Sequence, residues 1–97
     1  MAEVTITHED RGDAGRYSAQ VVGSEHGGHL DWVAGGSDVR VATHTLVPPE
    51  IGGRGVAAAL VEAMVKDARE NGFRIDPRCS YVEAMFRRHQ EWAELRA

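Results

Sequence analysis

The segment Val47-Pro48-Pro49-Glu50-Ile51-Gly52-Gly53-Arg54-Gly55 constrains the fold of this chain more than any other. The two prolines must end a strand, because neither donates to a ladder and each pushes the residue before it away from helical backbone. Three glycines in four positions are costly inside a helix and useful at its start, where they permit turns that other residues resist. The segment therefore divides the chain. Before it, apolar residues recur at every second position; after it, they recur with the period of a helix.

In the first half, Val4, Ile6 and His8 alternate with Thr5 and Thr7. Tyr17, Ala19 and Val21 alternate with Arg16, Ser18 and Gln20, and Leu30, Trp32 and Ala34 form a third such face. Between them lie Glu9 to Gly15, Gly23 to Gly28 and Gly35 to Asp38, rich in Gly, Asp and Ser, which favour short reversals. With a fourth strand over Val39 to Val47, these predict an antiparallel four-strand meander. From Gly55 onward Ala57, Leu60, Met64 and Ala68 form a helical stripe widened by Val61 and Val65, with Glu62, Lys66, Asp67 and Glu70 expected in water.

Asn71-Gly72 supplies a helix stop, and Phe73 to Asp76 reads as a fifth strand closed by Pro77. Strand, helix and strand from Val39 to Asp76 should form a right-handed parallel crossover. Ser80 and Glu83 fit a capping box opening a second helix over Tyr81 to His89, with Val82, Met85 and Phe86 inward and Trp92 and Leu95 packing the tail. The expected class is α/β (α+β), a mixed sheet in a single domain over residues 1–97, too short for a second core.

The charge balance is 11 basic against 15 acidic residues, net −4. That lacks the basic footprint of a nucleic-acid binder. Eight of the 11 basic residues follow position 49, so an anionic ligand is expected in the second half. A single cysteine, Cys79, forms no intramolecular disulfide and fits a reducing cytoplasm. The longest apolar run, Val56 to Val61, is too short for a membrane span, so neither membrane nor nucleic acid is an expected partner.

Glycines at a helix start let backbone amides surround an anion, helped by the positive end of the helix dipole, and a pyrophosphate suits several amides at once. A plain tight turn accounts for the same glycines. A dinucleotide fingerprint is a third reading, since Gly53-Arg54-Gly55-Val56-Ala57-Ala58 matches GxGxxA and Asp76 follows the next strand. That motif normally opens a mostly parallel domain, whereas a meander comes first here. A nucleotide P-loop lacks its Lys-Ser/Thr pair.

His44-Thr45-Leu46-Val47-Pro48-Pro49-Glu50, Gly53-Arg54-Gly55, Ala68-Arg69 and Pro77-Arg78-Cys79-Ser80-Tyr81 through Arg88-His89 together resemble the minimal GNAT-type N-acetyltransferase family. The likeness is strongest over residues 39–92. It implies a GNAT-like mixed sheet, acetyl-coenzyme A as cosubstrate and transfer of acetyl to an amine. It also implies that the strand edge at Thr45, Leu46 and Val47 holds the pantetheine arm where strands four and five splay. Gly53, Arg54, Gly55, Val56 and Ala57 would hold the pyrophosphate, with Gly52 standing where the family usually has Arg or Gln. The acceptor is a small-molecule or protein amine, and pairing as a homodimer is one way to complete its wall.

Cys79 is characteristic of the family and stands before a helix, where the dipole and Arg78 favour the thiolate. Acceptance of an acetyl group and simple packing both remain open for it. His44 is the candidate base, against a hydrogen-bonded sheet histidine. Tyr81 reads as an acid or as packing, and Phe86, seven residues after Cys79, has no proton to give. His8, His26 and His29 lack metal-ligand spacing and are expected in solvent. A non-catalytic acyl-coenzyme A binding module is the alternative function.

Overall fold

The period-two half folds into β1 (Val4–Asp10), β2 (Ala14–Val21), β3 (Gly27–Ala34) and β4 (Val39–Leu46). They are followed by α1 (Val56–Asn71), β5 (Arg74–Pro77) and α2 (Ser80–Arg88) in a computed structural model that describes residues 3–97. The sheet order is β1-β2-β3-β4-β5. The first three pairings are antiparallel and β4–β5 is parallel, so β4, α1 and β5 form the predicted crossover. A doubly wound parallel sheet, which the dinucleotide reading required, is not formed. No helix among the described residues is long and apolar enough to cross a membrane.

Only one face of the sheet is covered. Tyr17, Ala19 and Val21 of β2 and Leu30 and Trp32 of β3 are buried, as are Val56, Leu60, Val61, Met64, Val65 and Ala68 of α1. Their strand neighbours Arg16, Gln20 and Val33 are exposed on the other face. Val82, Met85 and Phe86 of α2 join this core, with Trp92 and Leu95 from a 3₁₀ segment over Gln90–Leu95. The chain end then covers the outer edge of β5: Arg96 bridges Ile75, and the Ala97 amide donates to the Ile75 carbonyl at 2.8 Å. A covered edge cannot template pairing with another chain.

Three local expectations are corrected. The N-cap of α2 is Cys79, and Ser80 is already helical, because the Glu83 amide closes the first turn on the Cys79 carbonyl at 2.9 Å. No capping box forms; Glu83 instead pairs with Arg96 at 2.6 Å and Arg87 at 3.3 Å. His29 lies inside β3 with its side chain only 21% exposed, not in open solvent. Asp67 and His8 turn toward each other under the β1 end of the sheet instead of into solvent.

There the Trp32 indole donates to His8 Nε2 at 3.0 Å, the His8 ring stacks on Tyr17 at 3.9 Å, and the Tyr17 hydroxyl donates to Asp67 at 2.6 Å. Arg40 approaches Asp67 to 3.6 Å and Asp10 to 3.1 Å while its guanidinium sits 4.1 Å from both the Trp32 and Phe73 rings. An accepting Nε2 leaves the His8 proton on Nδ1, 3.4 Å from Asp67. Burial, and after it Arg40, holds the His8 pKa below the ordinary imidazole value against the pull of Asp67 and Asp10.

Two outcomes follow for stability. Replacing Asp67 by Ala leaves Tyr17 without its acceptor and Arg40 with Asp10 alone, and should cost about 2 kcal/mol in urea unfolding, less than a fully buried pair because Arg40 and Asp67 keep some solvent. His8 resists protonation in the folded state more than in the unfolded one, so its contribution is complete above about pH 6.5 and is lost as pH falls below it. A series of unfolding midpoints from pH 7.5 to 5 should decline more steeply for the parent than for His8→Gln.

Candidate active site

β4 keeps its two neighbours for different lengths. It pairs with β3 as far as Leu46, but with β5 only from Val39 to Ala42. At the fork the Ala42 carbonyl accepts two amides, Arg78 at 3.1 Å and Cys79 at 2.9 Å, which swings the chain out of β5 and into α2. Among the described residues, the β5-side edge of β4 has no strand partner from Thr43 to Leu46.

The prolines end β4 as predicted, and Pro49–Ile51 make a 3₁₀ turn pinned by the fully buried Ile51. Gly53 and Gly55 have φ of 77° and 75°, backbone that side chains with a Cβ resist. Gly55 is the N-cap of α1, so no side chain fills the helix start, and a Cβ at either glycine would meet nothing within 4 Å. The first helical hydrogen bond runs from the Ala59 amide to the Gly55 carbonyl, which leaves the amides of Val56, Ala57 and Ala58 free of intrahelical partners. Open space, free amides and a positive helix end occupy one place, with exposed Arg54 beside it. Gly52, by contrast, has φ −63° and ψ 149°, which any residue adopts.

Cys79 sits where the fork opens. Its Sγ lies 3.4 Å from Thr45 Oγ1, an interaction the sequence alone did not reveal. Burial raises the thiol pKa, but the Thr45 hydroxyl and the amides of Val82, Tyr81 and Thr45 outweigh it, and the net shift is downward. The amides act on the sulfur without completing a side-chain cap hydrogen bond. The half-buried Tyr81 shifts the opposite way: burial raises its pKa, only partly opposed by Arg88. Phe86 is buried edge-on to Trp92 at 5.5 Å and is part of the core.

His44 is not on the same side of the sheet as Cys79. The pairing of β3 with β4 slips between Asp31 and Trp32: Trp32 opposes Ala42 and Asp31 opposes His44, so Thr43 is the extra residue of a β-bulge. Beyond the bulge Thr45 lies opposite buried Leu30 and faces the helices, while exposed His44 lies opposite Asp31 on the open face. The structure therefore joins Cys79 to Thr45 and sets His44 beside His29, with ring centroids 5.9 Å apart. Direct proton exchange between His44, the expected base, and Cys79 is not what the register arranges.

The glycine turn, the free edge of β4 and the thiol thus line one fork. A separate concavity of about 440 Å³ between α1 and the C-terminal segment, lined by Lys66, His89 and Trp92 among others, is not connected with it by any of these residues. No curated protein matches the chain. A family model described as GCN5-related N-acetyl-transferase matches residues 16–95, nearly the whole of the fold just described. A mixed sheet with four antiparallel strands and a parallel fifth is consistent with that match, and the chain belongs to the GCN5-related N-acetyltransferase family of acyl-transfer domains.

Proposed function

We propose that this protein transfers an acetyl group from acetyl-coenzyme A to an amine across the β4–β5 fork. The observation that carries the reading is the coincidence of three features at that fork: an unpaired strand edge, an open helix start and a thiol biased toward thiolate. The backbone of Thr45, Leu46 and Val47 pairs with the amide-bearing pantetheine arm as an added strand would. Gly53, Arg54, Gly55, Val56 and Ala57 receive the pyrophosphate on their amides and the helix dipole.

Cys79 then has a chemical role. Its thiolate attacks the thioester carbonyl, the bond from carbon to the coenzyme sulfur breaks, and the acetyl group rests on Sγ until an amine displaces it. Thr45 Oγ1 accepts from the Cys79 thiol, and the same hydroxyl, turned to donate, favours the thiolate. His44 takes a proton from the acceptor amine on the open face. The overall change conserves thioester to amide exchange: the carbon–sulfur bond is lost and a carbon–nitrogen bond gained.

Intact mass after incubation with acetyl-coenzyme A tests the covalent step. An acetyl adduct on the parent chain that is lost in Cys79→Ala is expected. Turnover of amines with no adduct under rapid quenching assigns direct attack instead, and binding with neither adduct nor turnover leaves a coenzyme-binding module, which the bare Gly52 and the apolar Phe86 favour. Coenzyme A at 100 times its dissociation constant should raise stability by about 2.7 kcal/mol in a thermal series; no rise would refute the binding site itself.

Gly52 offers a gain-of-function test. Its backbone accepts any residue, although a Cβ would lie 3.3 Å from the Pro49 carbonyl oxygen and need a small adjustment. Gly52→Arg adds a cation beside the phosphate cradle and should tighten coenzyme A binding by about 1 kcal/mol, or roughly fivefold, in titration calorimetry.

A further inference from the structure

Cys79 and Thr45 stand on the helix side of the fork and His44 on the open face of the sheet, and the open face is the side from which the acceptor is taken to reach the acyl group. Four polar side chains stand there in a row across three strands. β2 presents Arg16, β3 presents Asp31 and His29, and β4 presents His44. Arg16 grips Asp31 through Nε at 2.7 Å and a second nitrogen at 3.3 Å. Asp31 Oδ2 lies 3.7 Å from His29 Nε2, and the His29 ring is tilted 51° to His44 at a centroid distance of 5.9 Å. His29 and Asp31 are only 21% and 28% exposed, so their rotamers are held by packing, whereas His44 is free to meet a substrate. Among the described residues no group of three such side chains is placed to hold a metal ion.

We propose that His29 is a positioning residue of the acceptor half-site, which orients His44 and carries onward the proton that His44 removes from the acceptor. The inference rests on the acetyl-transfer reading. An acceptor that arrives as R–NH₃⁺ gives up two protons in all. One passes through His44 to His29 and on to solvent beside Asp31. The other ends on Cys79 Sγ, released as the carbon–nitrogen bond forms and the bond from the acetyl carbon to Sγ breaks; it replaces the proton that Cys79 gave to the departing coenzyme thiolate in the first step. Burial first, then Arg16 and His44, hold the His29 pKa below the ordinary imidazole value against the pull of Asp31, so the ring stays neutral between turnovers and releases a proton readily to solvent. The Arg16 clasp fixes Asp31 and thereby the His29 ring, as an outer carboxylate fixes an imidazole in other proton-transfer sites.

The test is the pH dependence of kcat/KM for the parent, His29→Gln, Asp31→Asn and His44→Ala, with unfolding midpoints and coenzyme A thermal shifts measured on each. His44→Ala should lose about 100-fold or more, and His29→Gln roughly tenfold, with an unaltered KM for acetyl-coenzyme A and a displaced acid limb. Loss of rate with an unmoved pH profile, or no loss in a folded variant that still binds coenzyme A, overturns the assignment. Imidazole titration by NMR separates this from failure of the acetyl-transfer reading. If the parent turns over no amine, His29 must still titrate at higher pH in His44→Asn than in the parent. An identical titration shows that the two rings share no proton.

Discussion

One carbonyl governs the geometry on which everything else rests. By accepting both the Arg78 and Cys79 amides, the Ala42 oxygen ends the parallel pairing of β4 and β5 after four residues and starts α2 at the same point. A longer ladder would close the fork and bury the edge of β4. A shorter one would leave the crossover without its second strand, since β5 has only Arg74–Pro77 to pair. Pro77 helps at the boundary: it is the last partner of Ala42 and contributes no amide to a longer ladder.

The far end of the sheet is secured differently. There the chain commits a carboxylate, an imidazole, a phenol, an indole and a guanidinium to one cluster that ties β1, β2, β3 and β4 to α1. Burial together with the Asp67 contact pushes the Tyr17 phenol well up, so it serves as a hydrogen-bond donor at any physiological pH. An apolar clamp would have held the same elements. The polar one adds direction, because its bonds run between specified atoms of different strands and a slip of β1 by one residue would break several of them together.

Much of this was legible from residue order. Period two and period 3.6 gave the strands and α1, Pro48-Pro49 and Gly72 gave their ends, and φ values near 75° at Gly53 and Gly55 account for the glycines that marked the helix start. The cap of α2 was misread because Ser80 and Glu83 satisfy the capping pattern, while hydrogen bonding at Cys79 moved the helix start by one residue and gave Glu83 to Arg96. Asp67 was assigned to water from its place opposite the apolar stripe; Tyr17, fifty positions earlier, is what recruits it. The site was legible as a set of residue types. Its arrangement was not, because strand alternation alone puts His44 on the face of Ala42, toward the helices.

That difference comes from one residue in β4. A sheet assigns side chains to faces by parity, so no substitution can move a residue from one side to the other; only a change in count can. Thr43, paired to nothing on β3 yet fastened by its hydroxyl to the Asp31 carbonyl, supplies the count. It lets consecutive stretches of one strand obey opposite rules, Ala42 inward before it and His44 outward after it. Were Thr43 paired in regular register instead, it would stand opposite Asp31, and His44 would turn toward the helices opposite Leu30 with no side chain altered. The two sides of this fork are therefore encoded by an insertion, a kind of information that a residue-by-residue comparison of similar sequences would miss.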